Sequence, residues 1–261
     1  MIDFHAHIFP DHIAERTISY LSNICKMAPF INGTESGLMS SMDEAGIALS
    51  VILPVVTAPR QFDSINRFAL KFQEGKLISF GGIHPDQENY KEKLRWLKEQ
   101  GIRGIKFHPD YQNTYFNDIR YKRILSYASE LDLIVVTHAG SDPSSPDDIH
   151  CTPKMIAEVL DDVAPKKLVL AHMGGNLLFD EVEELLVGRD VYLDTSYVLD
   201  KMDTNQIVRM FRNHGTERIL FATDCPWAGQ KELTNVFNSL PLTLEEKLQI
   251  SELNARKLLK M

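Results

Sequence analysis

Ile2-Asp3-Phe4-His5-Ala6-His7-Ile8-Phe9-Pro10 stands at the start of the chain, and the reading of this stretch decides how the rest is understood. In an extended strand successive side chains alternate between faces, so His5 and His7 point the same way with Asp3 behind them. Two imidazoles on one strand face can grip one metal ion, because neutral ring nitrogens are borderline ligands suited to zinc, iron, nickel or copper. The spacing alone does not establish such a site, since isolated histidines are often satisfied polar groups. Further ligands have to arrive from elsewhere in the chain.

Outward from this strand, short apolar runs recur at 49–56, 77–85, 104–109, 133–140, 168–175, 191–196 and 219–226, each of the kind expected in a strand covered on both faces. Helices are predicted between them. Pro10 starts one running towards Ile24, Thr34 begins one that stops at Gly46, and others follow over about 61–74, 87–100, 117–131, 177–186 and 204–213. Thr152-Pro153 is an N-cap with proline in the first helical turn, and the capping box Thr243-Leu-Glu-Glu246 opens a closing helix that carries 254–259. From His7 to Asp224 each strand-to-strand step takes about 31 residues, the size of a βα unit. Eight strands alternating with helices, without linker or low-complexity break, predict one α/β domain over 1–261, a (β/α)8 TIM barrel. An inserted segment at about 8–33 lies over the strand end, and a C-terminal helix occupies about 243–260. The competing architecture, a doubly wound open sheet, calls for a glycine-rich phosphate loop where the chain has His7-Ile-Phe-Pro10.

Composition narrows the function. A net charge of -8 and no basic run argue against nucleic acid or an anionic membrane surface as partner. Cys25, Cys151 and Cys225 are odd in number and scattered, so neither a disulfide framework nor a zinc ribbon is indicated. The N-terminus shows no signal-peptide pattern and no run is long enough to span a bilayer. A soluble protein of the reducing cytoplasm, acting on a small-molecule substrate, is expected.

Polar residues fall where a barrel would use them. His7, His84, His108, His138, His172 and Asp224 sit at or just beyond the carboxyl end of a predicted strand, the ends that gather catalytic groups in this fold. With Asp3-Phe-His5-Ala-His7-Ile-Phe-Pro10, Gly104-Ile-Lys-Phe-His108-Pro109, His138, Ala171-His172-Met-Gly-Gly175, Thr223-Asp224-Cys-Pro226 and the closing Asn254-Ala-Arg-Lys-Leu-Leu259 in this order, the chain resembles the amidohydrolase superfamily, specifically its amidohydrolase-2 branch of metal-dependent hydrolases and decarboxylases.

That resemblance implies one divalent ion, zinc by default, held by His5, His7, His138 and Asp224, with Asp224 also accepting a proton from attacking water. It implies His172 as general acid/base, the alternative being a residue that orients Asp224. Lys106 stands where some superfamily members carry a carboxylated lysine between two metals; in this branch it is expected uncarboxylated, holding a substrate anion. His108, Trp227 and Arg60 are further candidates for substrate contact, Arg60 on position alone. His84 and His108 are equally read as satisfying loop backbone, and His150 and Cys151 end a polar loop, 141–148, that is either a lid or an ordinary solvated loop. Cys225 is expected as a buried small hydrophobe. The leading expectation is hydrolysis of a small amide, ester or lactone, with non-oxidative decarboxylation of an aromatic or unsaturated acid as the alternative. TatD-like deoxyribonucleases share a His-x-His start but place a glutamate where this chain has Lys106. A barrel that binds without chemistry would not be expected to retain every ligand. A homodimer is expected from the resemblance.

Overall fold

Most strand positions are apolar, and each strand pairs in parallel with the next. In the computed structural model, which describes residues 1–261, β1 (Ile2–Ala6) and β2 (Leu49–Ile52) lead to β3, which runs Leu77–Ser79 and resumes at Gly81–Gly82. Then follow β4 (Gly104–Phe107), β5 (Ile134–Thr137), β6 (Leu168–Leu170), β7 (Tyr192–Asp194) and β8 (Ile219–Leu220). The first part of β3 pairs with β2 and the second with β4. Between them Phe80 N–H donates to Ile52 O at 2.9 Å, so the pairing continues past the break.

The ring closes between β1 and the segment after β8. Phe4 N–H donates to Phe221 O at 2.9 Å, Asp224 N–H to His5 O at 2.8 Å and His7 N–H to Cys225 O at 2.7 Å. An open sheet would leave first and last strands as edges; here the first and last are partners, as a barrel requires.

Helices cover the outside. The β1–β2 crossover holds two, α1 (Asp11–Cys25) and α2 (Glu35–Ala45); then come α3 (Phe62–Ala69), α4 (Tyr90–Glu99), α5 (Ile119–Glu130), α6 (Pro153–Val163), α7 (Phe179–Leu185), α8 (Thr204–His214), α9 (Gln230–Ser239), α10 (Leu244–Leu248) and α11 (Asn254–Leu259). The expected caps form: Thr34 Oγ1 accepts Gly37 N–H, Thr152 caps α6 ahead of Pro153, and Thr243 and Glu246 close their box around α10. Strands are shorter than the apolar runs that announce them. Pro54, without an N–H, ends the ladder of β2, and the last residues of the run 168–175 leave the sheet as a tight turn.

Two apolar layers result. Ile2, Phe4, Val51, Phe80, Val136 and Leu220 fill the barrel interior, where Ala255, Leu258 and Leu259 of α11 join them and close its lower end. The alternate strand positions, such as Ile105, Phe107 and Leu193, pack against the helices. Asn254 anchors α11 by donating from Nδ2 to Thr216 O and Ile219 O at 2.6 and 2.7 Å.

β1 departs from simple alternation. Asp3 pairs with Ser50 and Ala6 with Ile52, so three steps on β1 oppose two on β2, a bulge. The extra residue lets Phe4 and His5 both face inward. Asp3 is turned out of the barrel, where its carboxylate accepts Thr223 Oγ1–H at 2.6 Å, Thr223 N–H at 2.9 Å, Gln230 Nε2–H at 2.8 Å and His5 N–H at 3.1 Å. Asp3 is therefore a fastener between β1, the end of β8 and α9.

Candidate metal centre

His5 and His7 share one face, as alternation required, with ring centroids 5.0 Å apart. The partners of their Nδ1 atoms set both tautomers. His7 Nδ1–H donates to Leu53 O at 2.8 Å, and His5 Nδ1–H donates to Asp194 Oδ2 at 3.0 Å. Each Nε2 then carries a lone pair, and both meet Asp224 Oδ1, His7 at 3.1 Å and His5 at 3.4 Å. Three electron-pair donors thus converge without a proton between His7 and Asp224. Such a set is repulsive until a cation joins it, and two neutral imidazoles with one carboxylate suit a divalent metal. His5 Nε2 also accepts from Lys106 Nζ at 3.1 Å.

Electrostatics keep these donors in ligand form. Burial, reinforced by Lys106, holds His5 well below the ordinary histidine pKa. Burial alone would raise Asp224, but His5, His7 and His172 pull it well below the carboxylate range. Burial brings Lys106 down to about 8, against Asp194 and Asp224, and so leaves it mostly cationic at neutral pH.

His172 lies on a tight turn at His172–Gly174, where His172 and Met173 adopt φ of 57° and 56°; Asp224 has φ of 71°. Left-handed backbone at non-glycine residues costs about 1–3 kcal/mol each and persists where surrounding contacts hold it. Here His172 N–H is held by Asp194 Oδ1 at 3.0 Å and Asp224 N–H by His5 O. Gly140 completes the framework. Its φ is 86°, and a Cβ there would lie 2.0 Å from Asn176 N, so only glycine lets the end of β5 meet the turn after β6.

His138 stands beside His172. His172 Nδ1–H donates to Ser196 O at 3.0 Å, so its Nε2 accepts from His138 Nδ1–H, also at 3.0 Å. His138 Nε2 is left buried with no hydrogen-bond partner, 3.8 Å from Asp110 Oδ2, which has none either. Burial takes both His138 and His172 down to about 4. The structure does not gather all four expected ligands into one tight group. His5, His7 and Asp224 have ligand atoms within 4.8 Å of one another, whereas His138 falls in a second such group with His108 and Asp142. The reason is that its Nδ1 is engaged by His172 and its ring stacks on His108 at 4.3 Å.

These groups lie on a cavity of about 630 Å³ whose lining includes His5, His7, Lys106, His138, His172 and Asp224. His108 and Trp227 line it too. Arg60 does not: it is exposed on the turn Pro59–Gln61, where Gln61 Oε1 folds back onto the N–H groups of Thr57 and Ala58, and Gln61 and Ser64 face the cavity instead. His84 serves its loop, accepting Asp86 N–H at Nδ1. His150 stacks on Tyr115 and donates to Asp110 Oδ1 at 3.3 Å, which ties down the end of the polar loop, and Cys151 and Cys225 are buried among apolar side chains. The residue that sequence reading passed over is Asp194, fully buried and bonded to both His5 and His172. It stands at the end of β7, and the rule that singled out Asp224 would have found it.

A parallel eight-stranded barrel with a histidine–carboxylate centre at the carboxyl ends of its strands defines a class of metal-dependent enzymes. The amidohydrolase family model matches residues 2–261, and the chain belongs to that family. No curated protein matches the sequence. Among solved structures it is similar to an uncharacterised TIM-barrel protein from Bordetella bronchiseptica, at 17% identity and TM-score 0.77 over 100% of this chain and 98% of the other. It is similar to 2,6-dihydroxybenzoate decarboxylase from Rhizobium at 17% identity and TM-score 0.71, covering 99% and 98%. A third is 5-carboxyvanillate decarboxylase from Novosphingobium aromaticivorans in complex with manganese, at 15% identity and TM-score 0.75, covering 100% and 95%. At these identities the likeness establishes the fold.

Proposed function

We propose that the protein is a metal-dependent hydrolase that cleaves an amide, ester or lactone bond in a small molecule. The observation that carries this reading is the convergence of His5 Nε2, His7 Nε2 and Asp224 Oδ1, three lone-pair donors with no proton between His7 and Asp224, on a cavity large enough for a substrate. His138, whose buried Nε2 has no partner, is the fourth ligand of this proposal. A bound divalent ion, zinc by this donor set, supplies positive charge that polarises a carbonyl and acidifies water. Asp224 then accepts the proton of the attacking water. His172, whose Nε2 is the unprotonated nitrogen in the tautomer set by Ser196 O, takes that proton on from Asp224 and delivers it to the departing group. Lys106 steadies the negative charge that develops on the substrate.

A second reading is non-oxidative decarboxylation at the same centre. Lys106 beside His5 suits a carboxylate substrate, and two of the structural relatives named above are decarboxylases of aromatic acids. The relative with manganese also makes that metal an alternative to zinc.

Elemental analysis of protein purified without chelators, followed by a panel of small lactones, amides, esters and aromatic acids in 18O-labelled water, tests both. Label entering the organic product without release of carbon dioxide supports hydrolysis; release of carbon dioxide with no label in the organic product supports the lyase. Protein that binds no divalent ion at all refutes both.

A further inference from the structure

Helix α1 carries apolar residues on two faces. Ala14 and Ile18 are buried against the body of the protein, and Gly33 admits Ile18 so closely that a Cβ there would lie 2.7 Å from it. The other stripe, Ile13, Thr17 and Leu21, repeats every four residues and faces the cavity. On α3, Ile65 and Phe68, three residues apart, line the same cavity. Ile13, Leu21, Ile65 and Trp227 are half-buried, belong to neither apolar core and line the cavity, so part of their hydrocarbon is turned to it.

Charge is distributed differently. Lys106 is the only lysine or arginine on the lining, and the carboxylates there are Asp142 and Asp224, beside the histidines. At about 630 Å³ the cavity falls within the range of roughly 300–1,000 Å³ typical of pockets that enclose a drug-sized ligand. A single-ring acid would leave much of the apolar wall uncovered.

We infer that the substrate is an amphiphile: a polar reacting group with at most one negative charge sits among the histidines, and a hydrocarbon part of several carbons lies between α1 and α3. Esters, lactones or acids bearing a medium-length alkyl or acyl chain are the matching class. This rests on the reading of the histidine cluster as the reaction centre and adds what surrounds it. A further phosphate or carboxylate on the substrate would find no second lysine or arginine on the lining to receive it.

Calorimetric titration of the metal-loaded protein with straight-chain carboxylates from butanoate to decanoate tests the inference. Dissociation constants should fall about three- to fourfold per added methylene, as expected for ~0.8 kcal/mol per buried CH2, until the chain fills the space. The double variant Leu21→Ser, Ile65→Ser should flatten that slope, and Ile65→Trp should end it at a shorter chain. Neither position belongs to a core cluster, and circular dichroism checks that the variants fold. A flat series in the parent protein overturns the inference, as does a slope the serine substitutions leave untouched. His7→Asn separates the two levels of argument. It should weaken every chain length equally and keep the slope, so a failed metal centre alters the offset while a failed hydrocarbon wall alters the slope.

Discussion

Asp194 Oδ2 accepts the Nδ1–H of His5 at 3.0 Å, and its other oxygen accepts the backbone N–H of His172 at the same distance. One buried carboxylate thereby fixes the tautomer of a metal-ligand candidate and the strained turn that presents the acid/base candidate. Carboxylates that orient ligating imidazoles typically contribute 10–100-fold to metal affinity. Asp194→Asn should weaken metal binding by about that factor, measured by chelator competition, with the fold kept by circular dichroism. Unchanged affinity would remove Asp194 from the centre.

Metal content and turnover should separate by residue. His7→Asn and Asp224→Asn should lose the ion and activity together, and His138→Ala should do the same if His138 is the fourth ligand. His172→Asn should retain the ion and lose about 10²–10⁴-fold in kcat, the usual worth of a general acid/base. A His172 variant that arrives without metal would reverse the assignment of roles. A His138 variant that keeps full metal would restrict the ligand set to His5, His7 and Asp224.

Gly140→Ala puts a methyl group against Asn176 N at a backbone angle alanine rarely adopts. The expected cost is about 1–3 kcal/mol from backbone strain, with more from the clash. Urea denaturation should register that loss, together with reduced activity because the turn bearing His172 is displaced.

Asp3 is completely buried, and four donors converge on its carboxylate. Burial pushes its pKa up to about 6, with Thr223, Gln230 and the backbone acting in the opposite direction. Asp3→Asn would set an amide N–H against donors, so a loss of about 1–3 kcal/mol is expected, the cost of an unsatisfied buried group. An equal urea midpoint in the variant would contradict the role of Asp3 as fastener.

His214 supplies a pH test away from the cavity. Its Nε2–H donates to Val191 O at 2.8 Å and its Nδ1 accepts Gly188 N–H at 3.1 Å, so the folded protein holds it neutral, and burial lowers its pKa. The unfolded chain takes up a proton near pH 6.5 while the folded chain does so only at lower pH. Stability should therefore be fully present above about pH 6.5 and decline as pH falls below it. His214→Gln should show a shallower decline between pH 7 and 5 in thermal melts; an identical pH profile would exclude His214 as a contributor.

The strand-end rule made much of this protein readable in one dimension. Histidines and Asp224 closing otherwise apolar runs, at a spacing of one βα unit, pointed to a barrel, and the ring does close between β1 and the end of β8. His5 and His7 came out on one face because alternation is a local property of extended chain. Arg60 did not reach the cavity, because a side chain in a turn takes its direction from the backbone, and Gln61 folding back on Thr57 and Ala58 settled that direction. The bulge in β1, which turns Asp3 outward and both Phe4 and His5 inward, left no trace in the residue pattern.

The sequence by itself determined the order of strands and helices, the apolar layers and the chemical types available at the barrel mouth, because periodicity, caps and residue chemistry act over a few neighbouring positions. Only the tertiary structure decided which nitrogen of each histidine is free, that Asp194 serves two elements at once, and that His138 turns towards His172. Those outcomes depend on hydrogen-bond partners 22 to 189 residues apart in the chain, which meet only when the barrel closes.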